Sequence, residues 1–180
     1  MRASLKIAFI LMSGALFSIA AGCAPTLISV SAPEIQTAEN SYYTAQFEPL
    51  AEEKNYFDSF RLKVVNKTRE NLEIDWNKTR YLYNGRDTGV FVFKGIEPVN
   101  IRNLTIPPDV IPAGQTFTKE ISPLKLLARA PLTSRSANAG KITTGPIPTG
   151  ESGIFLFIRQ GDKTIDEKMA VKITRKEVQK

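Results

Sequence analysis

Ser59-Phe60-Arg61-Leu62-Lys63-Val64-Val65-Asn66 is the stretch that decides the fold. Phe60, Leu62 and Val64 alternate with Arg61 and Lys63, the period of a strand with one face in a core. Asn66-Lys67-Thr68-Arg69-Glu70-Asn71 then reads as a turn, and Leu72-Glu73-Ile74-Asp75-Trp76 as a second strand with Leu72, Ile74 and Trp76 on one apolar face. The two strands are expected to form an antiparallel hairpin. Trp76 is read as its core anchor, because its phase with Leu72 and Ile74 points it inward rather than outward for stacking on a sugar.

Further along, Arg80-Tyr81-Leu82-Tyr83 reaches the Asn84-Gly85 turn signal, and Val90-Phe91-Val92-Phe93 follows Asp87-Thr88-Gly89. Ile111-Pro112-Ala113-Gly114 marks another turn before Thr116-Phe117-Thr118-Lys119-Glu120-Ile121. Ile154-Phe155-Leu156-Phe157-Ile158 is a continuous apolar run suited to a central strand, and Gly161-Asp162 closes a hairpin onto Lys168 to Thr174. Seven or eight short strands with turns between them predict an antiparallel β-sandwich or small barrel over 44–176. The stretch from Pro123 to Ser152 breaks the rhythm and is read as a long loop, with one or two helical turns at Leu124 to Ala128. It carries Lys125, Arg129, Arg135 and Lys141 with no acid before Glu151, a candidate contact surface for an acidic partner or polymer.

Phe60 to Thr68, with Leu72 to Trp76 after it, is similar to the second and third strands of immunoglobulin-like domains in exported bacterial proteins. The resemblance spans about 120 residues and lacks the paired cysteines of antibody domains, so it implies a fold and no function.

The chain opens MRASLKIAFILMSGALFSIAAGC, with Arg2 and Lys6 before an apolar run from Ile7 to Ala21 and small residues ahead of Cys23. These are the parts of a secretory signal peptide. Ala20-Ala21-Gly22-Cys23 resembles the lipobox of bacterial lipoproteins, with Ala20 where that family more often has Leu. The resemblance implies diacylglyceryl transfer to the Cys23 thiol, cleavage after Gly22, and acylation of the new amino group. Two or three buried acyl chains then hold the protein stably on a membrane. Two alternatives stand beside this: an uncleaved span, against which Gly22, Pro25, Ser29 and Ser31 argue, and an ordinary signal peptide that would leave a lone free thiol. Ala24 follows the cysteine where Asp would favour inner-membrane retention, so the resemblance implies the outer membrane, facing the periplasm, in a Gram-negative cell. The segment 23–43, rich in Ala, Pro, Ser and Thr, is read as the lipidated N-terminus and a flexible tether reaching ~60 Å when extended.

Of the 180 residues, removal of 1–22 leaves 158, enough for one core. Without Arg2 and Lys6 the formal charge falls from +6 to +4, too mild and scattered for nucleic acid. With no His and a single Cys, Ser-His-Asp and Cys-His catalysis, His-ligated zinc, Cys clusters and internal disulfides are excluded. Asn66-Lys67-Thr68, Asn77-Lys78-Thr79 and Asn103-Leu104-Thr105 match the N-glycosylation pattern but read as turn residues. No cofactor or metal is implied. The expectation is a non-catalytic binding or assembly module, anchored through Cys23, whose partner is an envelope protein or anionic envelope polymer. The alternative is a hydrolase working through carboxylates alone, with Asp75, Asp87 or Asp109 as members of a pair.

Overall fold

The computed structural model describes residues 26–51, 55–94, 96, 98–129 and 142–178. In chain order these form β1 (Thr26–Ala32), β2 (Gln36–Glu39), β3 (Tyr43–Leu50), β4 (Ser59–Asn66), β5 (Leu72–Ile74), β6 (Arg80–Tyr83) and β7 (Arg86–Val92). There follow α1 (Pro98–Asn103), β8 (Asp109–Ile111), β9 (Thr116–Pro123), β10 (Leu127–Arg129), β11 (Ile142–Thr144), β12 (Gly150–Gln160) and β13 (Lys163–Val178). Among the described residues thirteen strands replace the seven or eight expected, because edge segments and interrupted strands each count separately. The class is as read: mainly β, antiparallel, two packed layers.

Alternation dictates the layers. Phe60, Leu62 and Val64 of β4 are fully buried while Arg61 is exposed, and β4 pairs β3 on one side and β9 on the other. In the facing layer β12 pairs β13 along one edge, and β5 and β6 in succession along the other. β7 pairs β6 and then reaches β9 at Phe91↔Pro123 and Val92↔Ser122, so the layers are joined and curl into a half-barrel. The groupings β3-β4-β9 and β5/β6-β12-β13 match the two sheets of an immunoglobulin-like sandwich, with buried Trp76 just after the strand that opens the second. Phe47 stacks on Phe60 at 4.3 Å, Phe91 meets both edge-on and Tyr81 lies tilted against Phe60, so aromatics from both layers form the core centre.

Three expectations are corrected. β4 and β5 are not a hairpin: β5 pairs β12 and β8, and residues 67–71 cross from one layer to the other. Asn66 holds that crossing. Its amide nitrogen donates to the carbonyls of Glu70, Ile111 and Pro112, and its oxygen accepts from the Thr68 N–H and hydroxyl, at 2.8–3.1 Å. The expected tether is, from Thr26 onward, sheet: β1 pairs β13 over its whole length and β2 pairs β3. The loop at 123–152 carries the end of β9, a 3-10 turn at Leu124–Leu126 and the small β10–β11 ladder, leaving 130–141 outside the described residues.

The hairpin turns are as the sequence marks them. Asn84 and Gly85 both take positive φ, 49° and 74°, joining β6 to β7 in the conformation that Asn-Gly favours. The run at 154–158 is central but buried on one side only: Ile154, Leu156 and Ile158 face the core, while half-buried Phe157 lies under the Lys78 ammonium at 4.6 Å.

Candidate functional site

Where β7 crosses between the layers, its ladder to β9 is only two residues long, and the chain after Val92 leaves the sheet. Two adjoining clefts open there. One, of about 400 Å³, is lined by Val92, Phe93, Ile96, Ile101 of α1, Ser122, and Leu127 and Thr144 of the β10–β11 ladder, with Lys94 also in its wall. The other, of about 240 Å³, shares Phe93 and Ile96 and runs past Asn100, Ile106, Pro107 and Pro108 to Asp109 and Lys119. Phe93 and Ile96 thus form the wall common to both.

The polar end is tightly organised. Lys119 extends from β9 with its ammonium 3.9 Å from the Phe93 ring centroid and 5.6 and 5.5 Å from those of Trp76 and Phe117. Its counter-ion is Asp109, which also accepts the Trp76 indole N–H at 2.7 Å. A cation among three ring faces, neutralised by one carboxylate, keeps its orientation with only a quarter of the side chain exposed. Asn77 fixes the strand entry opposite: it donates to the Ile106 carbonyl and accepts the Ile106 N–H, both at 2.8 Å. The site offers aromatic and aliphatic walls, a paired cation and carboxylate at one end, and Lys94 in the wall.

Of the residues singled out from sequence, Gly22, Cys23, Arg135 and Lys141 lie outside the described residues. Lys125 is exposed in the 3-10 turn, its ammonium 5.2 and 5.0 Å from the Tyr81 and Tyr83 ring centroids. Burial raises the Tyr81 pKa, partly opposed by its 2.9 Å hydroxyl contact with Ser152. Arg129 closes β10, the strand whose Leu127 lines the larger cleft. The three candidate carboxylates each have their own cation: Asp109 with Lys119, Asp75 with Lys78 at 4.0 Å, and Asp87 with Arg80 at 3.4 Å. Asp75 and Asp87 also accept the backbone N–H of Asn77 and Gly89, which makes them turn residues.

Sequence reading passed over Phe93, Ile96 and Lys119. The signal for Lys119 was present: in Phe117-Thr118-Lys119-Glu120-Ile121 it occupies the inward phase, in step with Phe117 and Ile121. No comparable signal marks Ile96, which follows the end of β7 in irregular chain. No family model matches the chain, and no curated protein or solved structure matches it significantly.

Proposed function

We propose that this chain is a lipid-anchored, non-catalytic binding or assembly module of a bacterial cell envelope. Support for the anchor is the leader from Arg2 to Gly22 and the lipobox-like Ala20-Ala21-Gly22-Cys23. By the same resemblance, Ala24 directs the protein to the outer membrane, facing the periplasm, in a Gram-negative cell. The observation that carries the binding role is the double cleft around Phe93 and Ile96, with Lys94 in its wall and the Lys119–Asp109 pair at its end. Its chemistry favours a segment of an envelope protein that offers an apolar side chain with acidic residues beside it. The pairing of Asp75, Asp87 and Asp109 with separate cations argues against a carboxylate-only hydrolase, which needs two free carboxyls across a bound sugar.

The test places a photoreactive residue at position 94 in cells and reads the adducts by mass spectrometry. Metabolic palmitate labelling, with Cys23→Ser as control, scores the anchor separately. One dominant protein adduct, lost on Ile96→Asp, is the expected result. Adducts only to lipid or cell-wall polymer sink the protein-partner reading, and turnover of a polymer by the purified protein restores the hydrolase.

A further inference from the structure

The edge of the sandwich nearest the anchor has an unusual construction. β12 stops pairing with β13 at Gly150↔Ile173, but β13 continues to Val178, paired there among the described residues with β1 alone. Ser29 still donates its N–H to the Asn55 carbonyl at 2.7 Å, and Ser29 and Val30 border a cleft with Glu48, Pro49 and Phe57, so the part that stands clear is the tip, Thr26 to Ile28 with Lys176 to Val178; every residue from Thr174 to Val178 is exposed. Directly paired residues share a face, so Val178, Lys176 and Thr174 lie with Thr26, Ile28 and Val30, while Glu177 and Arg175 lie with Leu27 and Ser29. Two exposed large apolar side chains, Leu27 (46%) and Val178 (38%), stand at the tip on opposite faces. Beside them are Arg175 and Lys176, with Glu177 between Lys176 and Val178; Lys172 at the root stands opposite Glu151 of β12, and β1 carries no charge.

Apolar residues on both faces of a tip that carries two cations to one acid suit an interface between headgroups and acyl chains better than free solvent. Position decides the occupant. Cys23 precedes Thr26 by three residues, so covalent geometry holds the tip within ~11 Å of the lipidated sulfur's backbone, about one Debye length at physiological salt. We propose that the tip of the β1–β13 ribbon docks on anionic lipid headgroups beside the anchor, with Arg175, Lys176 and Lys172 meeting the charge and Leu27 and Val178 entering the interface. The proposal rests on the lipid-anchored reading above. It replaces a domain standing far from the bilayer on a slack tether with one seated against it.

The test uses the mature protein purified from cell membranes and reconstituted into vesicles of phosphatidylcholine alone or with phosphatidylglycerol. Mass spectrometry of the N-terminal peptide first scores lipid on Cys23. Amide hydrogen exchange is then followed at 26–30 and 174–178. The expected result is exchange slowed about tenfold or more by the anionic vesicles, restored by high salt and by the triple variant Lys172→Glu, Arg175→Glu, Lys176→Glu, each cation near such a surface being worth roughly fivefold. The paired variant Leu27→Ser, Val178→Ser is expected to weaken the protection while leaving its salt dependence. A peptide without lipid overturns both readings. Lipid on Cys23 with the same exchange in both vesicles overturns the docking alone. Protection that already appears in detergent and rises with protein concentration overturns it in favour of a second copy on the β1 edge.

Discussion

Trp76 donates its indole N–H to one carboxylate oxygen of Asp109 at 2.7 Å, and that same oxygen faces the ammonium of Lys119. One atom therefore joins β8, β9 and the end of β5, elements from both layers. Replacing Asp109 with Ala leaves a buried N–H without an acceptor and a cation without its counter-ion. The expected loss is about 1–3 kcal/mol of unfolding free energy, read from denaturant midpoints, with less for Asp109→Asn, which keeps an acceptor. Trp76 is the only tryptophan, so a red shift of its emission in Asp109→Ala reports loosening at this site directly. An unchanged midpoint and spectrum would show that the pair is ornamental.

Asn66 is 1% exposed and makes hydrogen bonds to two of the connections that cross between the layers, 67–71 and 112–115. Asn66→Ala deletes the acceptor of the Thr68 N–H and the side-chain donor to the Ile111 and Pro112 carbonyls. We expect about 2–4 kcal/mol of destabilisation by chemical denaturation, against under ~1 kcal/mol for the exposed Asn103→Ala. Equal effects at the two positions would refute the keystone role.

Gly153 lies on β12 between β6 and β13, and an added Cβ there would stand 2.6 Å from the Met169 carbonyl oxygen and 3.1 Å from the Ala170 Cβ. The backbone must move for any side chain to fit. Gly153→Ala is expected to cost about 1–3 kcal/mol, where Gly-to-Ala in an open strand is neutral or stabilising. A variant melting at or above the parent temperature contradicts the close approach.

Burial pushes the Tyr43 phenol up to about 12, with Glu167 and Asp166 adding to the rise and Asn40 opposing it. Burial raises Tyr81 as well. An acid whose folded pKa is raised holds its proton longer in the native state than in the unfolded chain. This stability is complete below pH 10 and is lost as pH rises from 10 through 12, by roughly 2–3 kcal/mol for Tyr43. Tyr43→Phe removes the titrating group, so unfolding of that variant is expected to depend less steeply on pH above 10. Parallel pH curves for the two proteins would rule this out.

The readable parts of the fold were those written in local chemistry. Alternation at 59–66 and 168–174, Asn84-Gly85 and Gly161-Asp162, and the inward phase of Trp76 each involve residues a few positions apart, and each is found in the structure. The errors have a common cause. Alternation reports which side chains face a core and not which strand lies alongside, so β4 and β5 show the same inward pattern whether paired or opposed. β1 reads as a tether because an edge strand with no fully buried residue carries weak periodicity, and its partner β13 lies far along the chain.

By itself the sequence determined the β class, the turns, and the lack of His and disulfide chemistry. Those follow from composition and from neighbours in the chain, where physical preference acts without long-range closure. Tertiary structure alone decided that residues 67–71 bridge two layers, that Asp109 meets both Trp76 and Lys119, and that Phe93 and Ile96 divide two clefts. It also placed Thr26 beside Val178. Such pairings depend on which of many compatible faces buries best against which other, a choice made by the whole core at once rather than by any segment of it.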